Sequence, residues 1–448
     1  MADAAGPDAP EEAVAAATPE AEAADQRLDA ACSTNLNAFH AWADMRPQVN
    51  GRFTRVRGLA WCINGKAGLY RWVREDQADV PVVVKKMPPS RVRRNATLPP
   101  DYACEKNVYM RRLARHPEDS LTEIGVYSRL ASQDDLPISV VRMVACYEAP
   151  FRDIWPGGDA ESDDEDEAGV DVDLYRDVVR EDPKIALVME YATGGEAFAY
   201  VDPAQPAANA ALPLADFRRF MWQLFHAASY LHRHNIGHRD ISLENILMKT
   251  LPDGTTVMQL MDFGQACELK RGEEPLRYFW PVGKPMYRPA EAYIPRRDVV
   301  DAWVPKGTSP GTSVVQAHTR DGYFCEVLLP PDATAGSYIG ARPAGYTVEK
   351  LDIFMAGVCF FVLRWRRKPW GMTMRSDKSF EWVLKNGGKL SRLVAAWKLE
   401  MLDENAMHML DQMTHFNPAR RPSLADCLAS PWFDELQGAE IDVHPRLE

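Results

Sequence analysis

The sequence predicts an α+β fold in two unequal parts: a small antiparallel sheet with one main helix, followed by a larger, mainly helical body. Two patterns predict it. Short alternating or apolar runs at residues 53–61, 68–73 and 80–87 are separated by glycine and polar turns, as in half-buried strands. Beyond Gly194 and Gly195 the spacing lengthens: Leu214, Phe217, Met221, Leu224, Phe225, Ala228 and Leu231 recur at the i, i+3, i+4 and i+7 offsets of a helix buried on one face.

Residues 1–45 are expected to form a disordered acidic, alanine-rich tail, since the first 30 residues have too few large apolar side chains to offset the entropy of ordering. The first lobe is placed at 52–191. After its three strands come helices around 101–115 and 121–130, then strands at 140–147 and 185–191. A basic insertion at 88–115 carries Arg91, Arg93, Arg94, Lys106, Arg111, Arg112 and Arg115, and is expected to be solvated. An acidic loop occupies 150–183. The second lobe is placed at 192–434, with helices near 348–365, 379–384, 404–414 and 423–429. Pro418 and Pro422 mark the turn between the last two. It contains an insertion at 293–346 with a strand around 323–329, and a tail occupies 435–448.

With 448 residues and 46% hydrophobic content, the chain is long enough for a well-buried core. Its longest apolar run, 353–363, is far short of the roughly 20 residues that span a bilayer. Eight scattered cysteines, without a close pair, argue against a zinc site and a disulfide framework. A cytoplasmic or nuclear protein is expected, without membrane or nucleic-acid partners; the sequence leaves the oligomeric state open. The net charge of -12 is uneven. Residues 1–30 carry -7 and residues 150–183 carry -10, so subtraction leaves +5 on the rest, a body suited to an anionic nucleotide.

The motifs that carry chemistry lie between residues 238 and 264. They are His238-Arg239-Asp240, then Asn245, then Asp262-Phe263-Gly264, with a strand-like run at Ile246-Leu247-Met248 and a turn at Pro252-Asp253-Gly254. The set places a proton acceptor and two oxygen donors for Mg²⁺ at the spacing phosphoryl transfer uses. With these motifs in order, residues 53–433 resemble the eukaryotic protein kinase superfamily, as a divergent member of Ser/Thr type. The resemblance implies a bilobal protein kinase-like fold, ATP and Mg²⁺ as cofactors, and protein substrates.

It also implies residue roles. Asp240 orients the substrate hydroxyl, and Asn245 and Asp262 hold Mg²⁺. In Val82-Val83-Val84-Lys85-Lys86, Lys85 grips the nucleotide phosphates; alternation turns its rival Lys86 to the opposite face. Glu123 is the partner of Lys85, with Glu105 as a second candidate. Met189 is the gatekeeper, the Glu190 and Ala192 backbones bond the adenine, Glu196 reaches the ribose, and Leu247 lines the nucleotide site. Gly65 and Gly68, in Ile63-Asn64-Gly65-Lys66-Ala67-Gly68, approach the phosphates, where Lys66 adds charge. Tyr70 and Val83 roof the adenine. Glu291, Arg421 and Asp352 match structural positions of the family, the first two as a buried ion pair.

Departures matter as much. The first glycine of the G-x-G-x-x-G pattern is Ile63, and Pro-Ala-Glu stands at 289–291 where Ala-Pro-Glu is usual. The family lysine two residues after the catalytic aspartate is Ser242, while Lys284 replaces a threonine. An exchange is expected, in which the Lys284 ammonium serves the γ-phosphate region and the Ser242 hydroxyl supplies the hydrogen bond. Between Gly264 and Gly283 there is no Ser or Thr, so Glu268, Glu273 or Glu274 is expected to stand in for an activating phosphate near Arg239, with Tyr278 the one phosphorylatable residue. The leading function is transfer of the ATP γ-phosphate to Ser/Thr hydroxyls. The alternative is a pseudokinase scaffold, for which Ile63, Tyr70, Val83 and Ser242 speak.

Overall fold

The computed structural model describes residues 38–43, 51–62, 64–75, 77–95, 118–149, 183–202, 204, 212–278, 282–293, 299–308, 314–320, 324–330, 332–439 and 442–445. The expected helix at 101–115, Glu105, Ile63 and most of the acidic loop lie outside them. Strands β1 (Arg52–Cys62), β2 (Gly65–Val73), β3 (Val80–Met87), β4 (Met143–Ala149) and β5 (Lys184–Glu190) form one antiparallel sheet in the order β1-β2-β3-β5-β4. Side chains alternate between its faces. Phe53, Tyr70, Trp72, Val82, Val84, Tyr147 and Val188 form an apolar layer on one face, and Lys85 emerges on the other, toward Glu123.

Helices α1 (Pro89–Asn95) and α2 (Ser120–Ala131) follow β3 in the chain. Arg91 in α1 is buried, against the expectation of a solvated basic insertion. The Asp119 carboxylate caps α2 by accepting from Leu121 N at 3.2 Å and Thr122 Oγ1 at 2.7 Å. The tail expected through residue 45 also has an ordered piece at its end. His40–Trp42 form a short helical turn, and the preceding Phe39 is fully buried in the main core. Gly125 permits that contact, because a Cβ there would lie 2.0 Å from Phe39 O. His40 hydrogen-bonds Asp119.

The larger part is built on α3 (Leu214–Arg233) and α4 (Val348–Trp365). The buried residues Phe217, Met221, Leu224, Phe225, Ala228 and Leu231 give α3 its core stripe, and nearly every position of α4 through Leu363 is buried. Such a helix needs neighbours on all sides. These include α5 (Lys378–Lys385), α6 (Leu390–Ala396), α7 (Glu404–Met413) and α8 (Leu424–Leu428), which share one core with it. Between α3 and α4 run the short strands β6 (Ile236–Gly237), β7 (Ile246–Thr250), β8 (Thr256–Leu260) and β9 (Cys267–Glu268), then the hairpin β10 (Lys270–Arg271) and β11 (Glu274–Pro275). β7 pairs with β8 and β6 with β9, which fixes the loops after β6 and β8 beside one another.

The insertion at 293–346 is a closed antiparallel barrel of β12 (Val300–Trp303), β13 (Val314–Thr319), β14 (Phe324–Leu328) and β15 (Tyr338–Gly345). Ala302, Cys325, Val327 and Ala341 form its small core. Closure pairs the strand edges that an isolated sheet would expose.

Candidate active site

Lys85 Nζ donates to Glu123 Oε2 at 2.7 Å, with both side chains buried. Burial works against the Lys85 ammonium, but the Glu123 carboxylate outweighs it and holds the pKa well above its ordinary value. The charged form is therefore the resting one. Beneath this pair, Tyr127 of α2 meets Phe263 edge-on at 4.8 Å, and Phe263 packs on His238 at 5.4 Å. This column ties the helix carrying Glu123 to the loop carrying Asp240.

Asp352 of α4 anchors that loop. Fully buried, it accepts from His238 N and Arg239 N, each at 2.8 Å, and from His232 Nε2 at 3.0 Å. Arg239 and Asp262 both have a φ of 68°, a costly backbone state that such bonds offset. Asp240 then receives a set of donors. Asn245 Nδ2 donates to Asp240 Oδ2 at 2.8 Å and Gln265 Nε2 at 3.1 Å, while Lys284 donates through Nζ at 3.3 Å and through N, to Oδ1, at 3.2 Å. Burial raises the Asp240 carboxyl above its ordinary range, opposed by the Lys284 ammonium. Lys284 Nζ also lies 2.9 Å from Ser242 Oγ and 3.2 Å from Asn245 Oδ1. The two exchanged positions are in direct contact.

The glycine hairpin differs from its expected register. Cys62 pairs with Gly65, so β2 begins at Gly65, three residues before the expected strand at 68–73. Gly68 then lies within β2 opposite Val84, and Tyr70 pairs with Val82. Strand alternation therefore places Tyr70 in the outer apolar layer, and it does not roof the adenine. Ala67 and Leu69, opposite Lys85 and Val83, share the cleft face. Gly65 is required by packing, since a Cβ would lie 2.1 Å from Lys86 O. Lys66 points its ammonium over the Trp61 ring at 4.6 Å instead of toward phosphates.

At the strand end Met189 is partly buried, and Ala192 and the Glu190 side chain are buried. Glu190 accepts from Arg142 N at 2.8 Å and Gln259 Nε2 at 3.1 Å, and it pairs with Lys249. Leu247 bridges Glu196, whose carboxyl is raised by burial and by Glu244. Val83 is partly buried.

The expected anionic stand-ins for a phosphate do not reach Arg239. The Arg239 guanidinium instead bonds Gln265 O at 3.2 Å and Tyr346 Oη at 3.4 Å, and faces the Tyr278 ring at 5.2 Å. Glu268 uses its backbone carbonyl to accept from Tyr278 Oη, and the Glu273 carboxylate lies 3.9 Å from Lys270. Glu274 is exposed in the β10–β11 hairpin. Glu291 and Arg421 form a buried ion pair, the Nη2 bond at 3.0 Å.

Three residues escaped motif reading. Gln265 follows the Asp-Phe-Gly triplet directly, a position that could have flagged it. Tyr346 ends an insertion whose sequence gives no register. Glu118 packs beside Gly264, and burial, with Asp262 nearby, pushes its carboxyl up to about 8.

A protein kinase domain model matches residues 172–303. Over that stretch the chain is similar to protein kinase domains. The chain is 24% identical over 277 residues to sucrose non-fermenting protein kinase 1 of Fusarium virguliforme, covering 62% of the chain and 29% of that relative. It is 34% identical over 122 residues to the serine/threonine-protein kinase SIK1 of Rattus norvegicus, covering 27% and 14%. It is 22% identical over 247 residues to the serine/threonine-protein kinase CHK1 of Saccharomyces cerevisiae, covering 55% and 36%. The chain thus aligns with little more than a third of these relatives at most.

Proposed function

We propose that the chain transfers the γ-phosphate of ATP to hydroxyls of protein substrates, serine and threonine above tyrosine. The observation that supports this most strongly is the convergence of Asn245, Gln265 and Lys284 on one buried carboxylate, Asp240. A scaffold has no use for that arrangement. In the proposed reaction Asp240 orients the substrate hydroxyl and accepts its proton. A bond forms between that oxygen and the γ-phosphorus, the bond to the bridging oxygen breaks, and ADP leaves. Lys85, held by Glu123, carries the positive charge that meets the phosphates, and Lys284 carries a second one.

Asp262 and the Asn245 amide are hard oxygen donors that fit Mg²⁺, and Asn245 Oδ1 would exchange Lys284 Nζ for the ion. Bound Mg²⁺ would offset charge on the β and γ phosphates. Met189, the Glu190 and Ala192 backbones, Val83 and Leu247 would frame the adenine, with Ala67 and Leu69 in the place first assigned to Tyr70. Glu196 is assigned to the ribose and Gly65 to the phosphate side.

One observation favours the scaffold reading. Cys62, not glycine, faces Gly65 across the hairpin turn and narrows the backbone approach to phosphates. Incubation with Mg·ATP and a library of Ser, Thr and Tyr peptides, followed by phosphoamino-acid analysis, tests the proposal. Phosphoserine and phosphothreonine are expected. Phosphotyrosine alone would overturn the acceptor class, and no product would favour the scaffold.

A further inference from the structure

The inserted barrel is joined to the segment between Asp262 and Glu291 at several points. Tyr278 and Tyr346 exchange backbone hydrogen bonds, Tyr278 N to Tyr346 O at 3.0 Å and Tyr346 N to Tyr278 O at 2.8 Å. Arg277 pairs with Glu326 of β14. Tyr278 is fully buried, and its hydroxyl donates to Glu268 O at 2.7 Å, so the one phosphorylatable side chain between Gly264 and Gly283 is sequestered.

Arg239 sits at the centre of this junction with 2% of its surface exposed. Its Nη1 bonds Gln265 O, its Nη2 bonds Tyr346 Oη, and its Nε has no partner among the described residues. A buried cation with one donor already unpaired is sensitive to loss of another acceptor. The same Gln265 donates its side chain to Asp240 Oδ2 and accepts Gly283 N at 2.9 Å. A continuous path therefore runs from Tyr346 through Arg239 and Gln265 to the proton acceptor.

We propose that Tyr346, delivered at the end of the barrel's last strand, is a positioning residue that holds Arg239 and the 265–278 stretch in the working arrangement without an activating phosphate. The barrel acts as a permanent internal clamp. The proposal rests on the kinase reading for its catalytic consequence, while the clamp itself is measurable without catalysis.

The test uses the full chain after phosphatase treatment. Tyr346→Phe keeps the ring and the backbone pairing and removes one hydroxyl. The expected result is a kcat lower by about 10- to 150-fold, as for loss of a hydrogen bond to a charged group, with the nucleotide KM within about twofold of the parent. Amide hydrogen exchange across 265–278 should also quicken. Glu326→Gln, which loosens the barrel from Arg277 without touching the Arg239 pocket, should quicken the same exchange and carries the comparison if Tyr346→Phe does not fold. Unchanged kcat and unchanged exchange in Tyr346→Phe would overturn the proposal, as would phosphatase abolishing activity of the parent. If the parent transfers no more phosphate than Asp240→Asn, the kinase reading fails. Exchange then decides the clamp by itself, faster exchange supporting it and unchanged exchange overturning it.

Discussion

Lys284 is the side chain on which the proposed chemistry departs most from the family pattern. It touches Asp240, Ser242 and Asn245 at once, so its charge lies where the phosphoryl group would transfer. Removing a preorganised charge of this kind costs about 10²- to 10³-fold in turnover. Lys284→Ala should therefore lower kcat by about 10²-fold or more in steady-state assays, and Ser242→Lys in a Lys284→Thr background should restore part of it. A kcat near that of the parent would remove Lys284 from the mechanism. The Asp240 carboxyl, raised by burial, supplies a second test. Its base form is lost as pH falls through a pKa above the ordinary 3.8, so the acid limb of kcat/KM of the parent should lie above that value, and a limb at or below it would contradict the assignment.

At the scale of elements, the segment before α4 is locked to the helical body by Glu291 and Arg421, and Arg421 further donates to His415 O and Lys350 O. Arg421→Met would leave a buried carboxylate uncompensated at a cost of about 3–5 kcal/mol, read as a large fall in melting temperature. Helix α3 carries a pH-dependent contribution. Burial, with Arg233 nearby, lowers His226 to about 4 from 6.5. The unfolded chain takes up that proton first, so the stability the neutral ring contributes is present above pH 6.5 and is lost as pH falls toward 4. Thermal melts of His226→Gln should show a shallower decline across that window.

Legibility in the sequence follows from physics at this same scale. The stripe of α3 and the apolar run of α4 are strong periodic signals, and the structure's helices Leu214–Arg233 and Val348–Trp365 coincide with them. The face taken by Tyr70 is not legible in the sequence, because the family's glycine spacing does not fix the register of β2, which starts at Gly65 and turns Gly68 and Tyr70 away from the Lys85 face. The barrel was legible only as one strand near 323–329, since short strands closed on a small core carry weak periodicity. Phe39 was absorbed into an acidic tail because its partner, Gly125, lies far away in sequence.

For the whole molecule, the account joins three parts that the chain separates widely. The five-stranded sheet and α2 hold Lys85 and Glu123, the helical body holds Asp240 through Asp352, and the barrel closes on the segment between them. Such an assembly should work as synthesised, without prior phosphorylation. Mass spectrometry of an active preparation should therefore find no modification at Tyr278; stoichiometric phosphate there would contradict the buried hydroxyl.

The central claim is that Asp240 serves phosphoryl transfer. Phosphate transfer from Mg·ATP to a mixed peptide library, measured side by side for the phosphatase-treated parent chain and Asp240→Asn, tests it most directly. The account predicts transfer by the parent and its loss in the variant. Equal background in both would contradict it.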